Sequence, residues 1–340
     1  MDKNKYKETF FKLLNTYPSP HNGQPIRIKE ISDGSYELYF DKSRGLKSTE
    51  ISYLFSFVSM GVFCEYASLC CNALGHRAEI VTILPSQSDL RGNGLIKFAD
   101  LKITWNVNGS DETTLAALQF RQTSRKKYYT GTSGQADTHA ISAAKDNGMQ
   151  IVKLPKDIAQ HAVWLNQRAV FDDIKDRAVR EELDHWLRYT ADQKVSTNDG
   201  LAYDCMELNG KAMKYIIDHH KILENQLIAK LLKTYYLRTM SDDSDVFYML
   251  APFKTEHDSF KVGTMVMRLW HIMSSYQLYI HPFGTIMSNQ KAHADFVALA
   301  DIKNESLESG YLVFIFRAGK SEKPTPSMRK PYDIHLIIKD

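Results

Sequence analysis

The chain has 340 residues, 43% of them apolar and 24% charged, with 43 basic against 40 acidic side chains and a net charge of +3. That composition suits a globular protein with one large core or two modest ones. So even a balance gives no support to wholesale binding of nucleic acid or of a membrane surface. The segment Met1–Tyr6 is charged and lacks the apolar stretch of a signal peptide. The cysteines Cys64, Cys70, Cys71 and Cys205 form no CxxC pair and no disulfide framework, so small buried packing in a reduced, cytoplasmic setting is expected.

In chain order, residues 3–16 predict an amphipathic helix that Pro18 and Pro20 end. Ile26–Ile28 and the alternating Tyr36–Phe40 predict a hairpin around Asp33-Gly34. Residues 50–74 predict a long apolar helix with Gly75 just past its end. Its polar interruptions at Ser56, Ser59, Glu65 and Ser68 leave too short a run for a comfortable membrane span. Strands are expected over 78–84 and 95–105, and two helical stretches over 112–150 with a basic cluster between them. Residues 156–192 predict charged helix, 193–212 irregular chain and 213–239 another helix. A strand over 246–250, a second long apolar helix over 257–276 and a continuous apolar strand over 311–317, central in a sheet, follow. The tail is basic and ends in a short strand, His335–Ile338.

The helix opened by Ser59-Met60-Gly61 and the one opened by Val262-Gly263-Thr264 are alike, and strands follow each. This order predicts a duplication: a first half over 1–118 and a second over 119–340, with a helical insertion at about 156–240. A duplicated chain can build alone what a two-fold dimer builds from two copies.

Two stretches carry chemistry. In Pro18–Pro25 the prolines stiffen a turn that presents Ser19, Pro20, His21, Asn22 and Gln24, whose donors and acceptors suit the pyrimidine edge of a flavin ring. The same letters also fit a polar loop in which Asn22 and Gly23 serve only the turn. In Arg121–Lys127, Arg121, Thr123, Ser124 and Arg125 suit a phosphate at a helix start, with Arg125 able to bind it bidentately; a solvated basic helix start is the other reading of the same letters. Asp218-His219-His220 with His185 lacks metal-site spacing. No G-x-S-x-G, GxGxxG or GxxxxGK[ST] occurs.

On four pieces the chain resembles the nitroreductase superfamily of FMN-binding oxidoreductases, and within it the long, internally duplicated Acg-type branch. Pro18–Pro25 is similar to the family's Pro-Ser-x-x-Asn-x-Gln-Pro turn, and Arg121–Arg125 to its Arg-Arg-Ser-x-Arg segment, with Gln122 in place of the second Arg. His281-Pro282-Phe283-Gly284 falls where the family has a Pro-x-x-Gly loop, and Ser327–Pro331 resembles its basic C-terminal segment, here with Arg329 and Lys330. Gln277 departs from the usual Gly.

The resemblance implies an α+β fold, a mixed and mainly antiparallel sheet flanked by helices, built twice in one chain as a pseudo-dimer. It implies one composite FMN site, the turn coming from the first half and the phosphate segment from the second. A backbone N–H of Pro282-Phe283-Gly284 would face flavin N5 there. Hydride would pass from NADH or NADPH to a nitroaromatic, quinone or similar electrophile, with no catalytic side chain required. Flavin storage or sensing under a lid formed by the insertion is the alternative, and a deazaflavin would suit the basic tail as well. Neither nucleic acid nor membrane is an expected partner; the chain would act as a monomer or a homodimer.

Overall fold

The computed structural model describes residues 3–48, 50–107, 109–238, 243–303 and 310–338. Helix α1 (Lys3–Leu14) leads through the proline turn to a hairpin of β1 (Ile26–Ser32) and β2 (Ser35–Asp41), then to α2 (Glu50–Ala73), β3 (Arg77–Thr82) and β4 (Leu95–Thr104). After α3 (Glu112–Phe120) and β5 (Tyr128–Thr130) come α4 (Gly134–Asp146) and β6 (Gln150–Lys153). A mostly helical excursion follows: α5 (Lys156–Asp173), α6 (Arg177–Trp186), β7 (Leu187–Arg188), α7 (Ala191–Thr197), β8 (Leu201–Ala202), α8 (Gly210–Asp218) and α9 (Gln226–Arg238). The chain returns through β9 (Asp245–Ala251), α10 (Glu256–Ser275), β10 (Tyr279–Pro282), α11 (Gly284–Ser288), α12 (Gln290–Leu299) and β11 (Tyr311–Ser321), and closes with α13 (Tyr332–His335) and β12 (Ile337–Ile338).

This is a mixed α+β architecture with two mainly antiparallel sheets. The first runs β12-β1-β2-β4-β3 and the second β10-β11-β9-β6, with β5 also on β11. Apart from β12, which joins β1 in parallel, every pair in both sheets is antiparallel. The two sheets use the same connections: a strand pair, a long helix, then an edge strand and its inner neighbour. They differ in the link between the first two strands. A two-residue turn joins β1 to β2, whereas the whole excursion from α5 to α9 separates β6 from β9.

Burial explains the strand patterns. In β2, Tyr36, Leu38 and Phe40 are buried and the residues between them are only partly so, because one face of the first sheet is covered. All of β9 is buried. Its Phe247, Met249 and Ala251 enter the large core shared with α2 and α10, while Val246, Tyr248 and Leu250 enter a second core with residues of α5, α11 and α12. The continuous apolar run of β11 has the same cause, and β11 is flanked by β10 and β9 as expected for a central strand.

Several expectations are corrected. The run 156–192 breaks into α5, α6 and the start of α7, and 213–239 into α8 and α9, residue 239 lying outside the described residues. The breaks follow side-chain caps: Asp176 accepts from the Val179 N–H at 3.0 Å, Thr190 from Gln193 at 3.2 Å and Asn225 from Leu227 at 3.0 Å. The segment 121–128 starts no helix. Arg121 instead closes α3 with an extended ψ of 112°, and the next residues pair with the open edge of β10 through Thr123 and Ile280. The terminal strand shortens to Ile337–Ile338 because His335 ends α13. By length and composition α2 can cross a bilayer, contrary to the expectation for that stretch, but 67% of its apolar window is buried.

The two long helices cross where neither has a Cβ. A methyl at Gly61 would overlap the carbonyl oxygen of Phe260, and one at Gly263 would overlap that of Val58. The helix ends also match. Gly75 after α2 has φ 74°, and Gln277 after α10 has φ 56°, so the Gln at this departure takes a left-handed conformation that Gly adopts without cost. An alanine in either crossing position would gain about 1 kcal/mol of helix propensity. Overpacking costs about 1–3 kcal/mol, and more when the obstructing atom is backbone that cannot rotate away. Gly61→Ala and Gly263→Ala are therefore each expected to lower the urea midpoint of unfolding; an unchanged or raised midpoint would exclude so close a crossing.

Candidate functional site

The turn between α1 and β1 is held in a conformation that most residues avoid. His21, Asn22 and Gln24 have φ of 50°, 52° and 52°, each at a cost on the order of 1 kcal/mol. Local bonds stabilise it: the Ser19 hydroxyl accepts from Gln24 N–H at 3.0 Å, Gly23 N–H donates to Pro20 O at 2.9 Å, and the Tyr17 hydroxyl accepts from Ile26 N–H at 3.0 Å. Pairing of β12 with β1 lays the C-terminal segment alongside. Asn22 Nδ2 donates to Met328 O at 3.0 Å, and Lys330 N–H donates to Gln24 Oε1 at 3.1 Å.

Two guanidiniums flank the start of this turn. Arg121 Nη2 donates to Thr16 O at 2.8 Å, and Arg329 Nη2 to Tyr17 O at 2.7 Å and Thr16 O at 3.4 Å. Arg121 lies over the Trp270 and Tyr66 rings at 5.2 and 5.8 Å, and Arg329 over Tyr17 at 5.7 Å. Neither meets a carboxylate among the described residues, and Arg121 Nε and Arg329 Nη1 are buried without a hydrogen-bond partner. Burial, and then the proximity of Arg121, pushes Arg329 down to about 10, which leaves it cationic at neutral pH, and burial lowers Arg121 as well. Two charged, under-satisfied donors sharing one carbonyl make a site in want of an anion.

The remaining pieces lie next to this region, but part of their expected bonding capacity is used internally. Ser124 is fully buried; its N–H donates to Ile280 O at 3.2 Å and its hydroxyl pairs with that of Ser321 at 2.7 Å. Arg125 reaches Cys205 O at 3.4 Å. Phe283 is a core residue whose N–H donates to Ile315 O at 2.8 Å, so that donor serves the sheet; Pro282 ends β10, and Gly284 faces open space. His281, across β10 and β11 from Arg317, accepts from Arg317 Nε at 3.1 Å on Nδ1. Burial pushes the His21 imidazole down to about 4, with Glu182 opposing and Arg125 adding to the fall.

The excursion between β6 and β9 docks on the turn. Gln24 Nε2 donates to Asn198 O at 2.9 Å, Asn22 Nδ2 to Gly200 O at 3.3 Å, Gly200 N–H to Asn22 O at 3.3 Å and Lys330 Nζ to Thr197 O at 2.8 Å. Asp199, only 6% exposed, lies at the centre of this contact. Its carboxylate pairs with Arg44, with Arg188 at 2.6 Å and with Lys330 at 3.5 Å, cations from three separate segments. Arg44 also donates to Gly23 O and stacks over Trp186 at 5.5 Å. Asp199, Arg44, Arg188 and Thr16 were missed from sequence. The only local signal was Asn198-Asp199-Gly200, a turn within a stretch read as irregular.

Burial raises the Asp199 carboxyl, but the bonds from Arg44 and Arg188 outweigh it and hold the group below the usual carboxylate range. Its stabilisation is then complete above the unfolded value of about 3.9 and is lost as pH falls through the lower folded value. Asp199→Ala leaves three cations facing one another and is expected to cost on the order of 3–5 kcal/mol at neutral pH. Chemical denaturation of wild type and variant should show a gap that is constant near neutrality and narrows below about pH 4; a gap independent of pH would exclude the ionised latch.

No protein-family model matches this chain, and no curated protein does.

Proposed function

We propose that this chain is an internally duplicated, nitroreductase-like flavoprotein that binds FMN and reduces nitroaromatic, quinone or similar electrophiles at the expense of NAD(P)H. The observation that carries the reading is the pair of carboxylate-free guanidiniums, buried Arg121 and half-buried Arg329, beside a strained polar turn. Their orphan N–H groups fit a phosphate, and the buried, unpartnered Asn22 Oδ1 and His21 Nδ1 fit the polar edge of a flavin ring. The duplication is supported by the shared strand connections of the two sheets and by the equal spacing of Gly61 to Gly75 and Gly263 to Gln277.

In this reading Arg121 and Arg329 anchor the phosphate, with Thr123 and Arg125 at its margin, while His21, Asn22 and Gln24 orient the ring. Bound FMN supplies two-electron redox chemistry. The side chains bind, orient and exclude water, and the strain of the turn keeps its polar groups in place without reorganisation. Storage or sensing without turnover is the second reading. It is favoured by one observation: residues 198–200 already hold the Asn22 and Gln24 amides, so the excursion covers the groups that a ring would use.

The test is to add FMN, desalt, record the absorbance spectrum and then add NADH or NADPH without oxygen. About one retained FMN per chain that bleaches with either nucleotide supports the oxidoreductase; retained FMN that stays oxidised supports storage. Arg121→Ala and Arg329→Ala should each weaken FMN binding by at least about 10-fold, the value of a charged hydrogen bond. Retention of no flavin by the wild type, or undiminished affinity in both variants, would reject the composite site.

A further inference from the structure

We propose that His281 presents its Nε2–H as a fixed hydrogen-bond donor to a ligand oxygen that carries or gains negative charge, such as a quinone carbonyl. The naming of a quinone rests on the oxidoreductase reading above; the donor itself does not.

Arg317 is a fully buried guanidinium 4.6 Å over the Tyr128 ring, with Nη2 donating to Lys126 O at 3.2 Å. A guanidinium has donors only. Its Nε–H points at His281 Nδ1 at 3.1 Å, so Nδ1 must hold the lone pair and Nε2 the proton. The usual ambiguity of a histidine tautomer is absent here, because the partner cannot accept. The imidazole is also kept neutral. Burial, then Arg317, then Arg125 all push its proton affinity well down. The charged groups that act on it, Arg317 on β11 and Arg125 in the 121–127 segment, are both cations.

Among the described residues Nε2 has no hydrogen-bond partner, and His281 keeps 6% of its surface exposed. A positive charge behind the ring strengthens the Nε2–H as a donor, and the group need not lose or gain a proton to act. His281 lies directly before the Pro282-Phe283-Gly284 loop, where Gly284 leaves open space. An oxygen there gains a neutral donor backed by charge, whereas an imidazolium or an Nδ1–H tautomer would be excluded.

Two measurements test this. In 15N-labelled protein, the His281 ring signals, assigned by their loss in His281→Gln, should keep the neutral Nε2–H pattern from about pH 8 to about pH 5, across the ordinary histidine range. An imidazolium pattern or the other tautomer overturns the proposal. FMN-loaded protein is then titrated with menadione and with 2-methylnaphthalene, which lacks both carbonyl oxygens. Wild type should prefer menadione by at least about 5-fold, the value of one hydrogen bond. His281→Phe should abolish the preference and His281→Gln, which keeps an N–H, should restore part of it. A preference unchanged in His281→Phe overturns the proposal while leaving the flavin reading intact. If no FMN is retained, the flavin reading falls and the same ratio measured on the apoprotein decides the role of His281.

Discussion

The close crossing of α2 and α10 is the constraint on which the rest of the molecule depends. Each helix carries a glycine against the other's backbone carbonyl, and the large core forms around that contact from one face of each sheet. Bidentate pairing of Arg268 with Glu65, at 2.8 and 3.2 Å, spans the same helices at their margin. With the helices so near, α3 crosses them and delivers Arg121 onto the Tyr66 and Trp270 rings, one from each helix. A wider crossing would separate those rings and the guanidinium between them.

Charge is distributed unevenly around the proline turn. On the side of the excursion, one buried carboxylate, Asp199, compensates Arg44, Arg188 and Lys330. On the other side Arg121 and Arg329 have only backbone carbonyls and aromatic faces, among the described residues. Burying cations without counter-charge opposes folding. An arrangement of that kind is stabilised when an anion binds the folded state alone. The Asp199 cluster, by contrast, is complete in the free chain and fixes the excursion to the turn. The two sets of cations thus meet at one turn with different roles: one set closes the surface, and the other leaves a demand for negative charge within it.

Much of the secondary structure was legible because it follows from local pattern. The two long apolar helices, the Asp33-Gly34 hairpin and the central character of β11 all followed from periodicity and turn chemistry. Local pattern misleads where a competing interaction is local but subtle or is distant in the chain. Caps at Asp176 and Asn225 divide helices whose composition is continuous. The open edge of β10 captures Thr123 and Ser124 from what reads as a helix start. In the site, the turn and the basic segments were visible as letters, but Ser124 and the Phe283 N–H are satisfied internally, a fact that depends on partners almost two hundred residues away in one case.

The sequence by itself determined most of the order of elements, the apolar faces and the presence of a proline-bracketed turn and basic segments, because each depends on residues within a few positions of one another. Only the tertiary structure decided that Asp199 clamps three distant cations, that Arg121 and Arg329 share the Thr16 carbonyl, and that Arg317 sets the tautomer of His281. Those outcomes depend on burial and on which side chains meet across the chain, and pairwise electrostatics in a low-dielectric interior has no signature in local sequence.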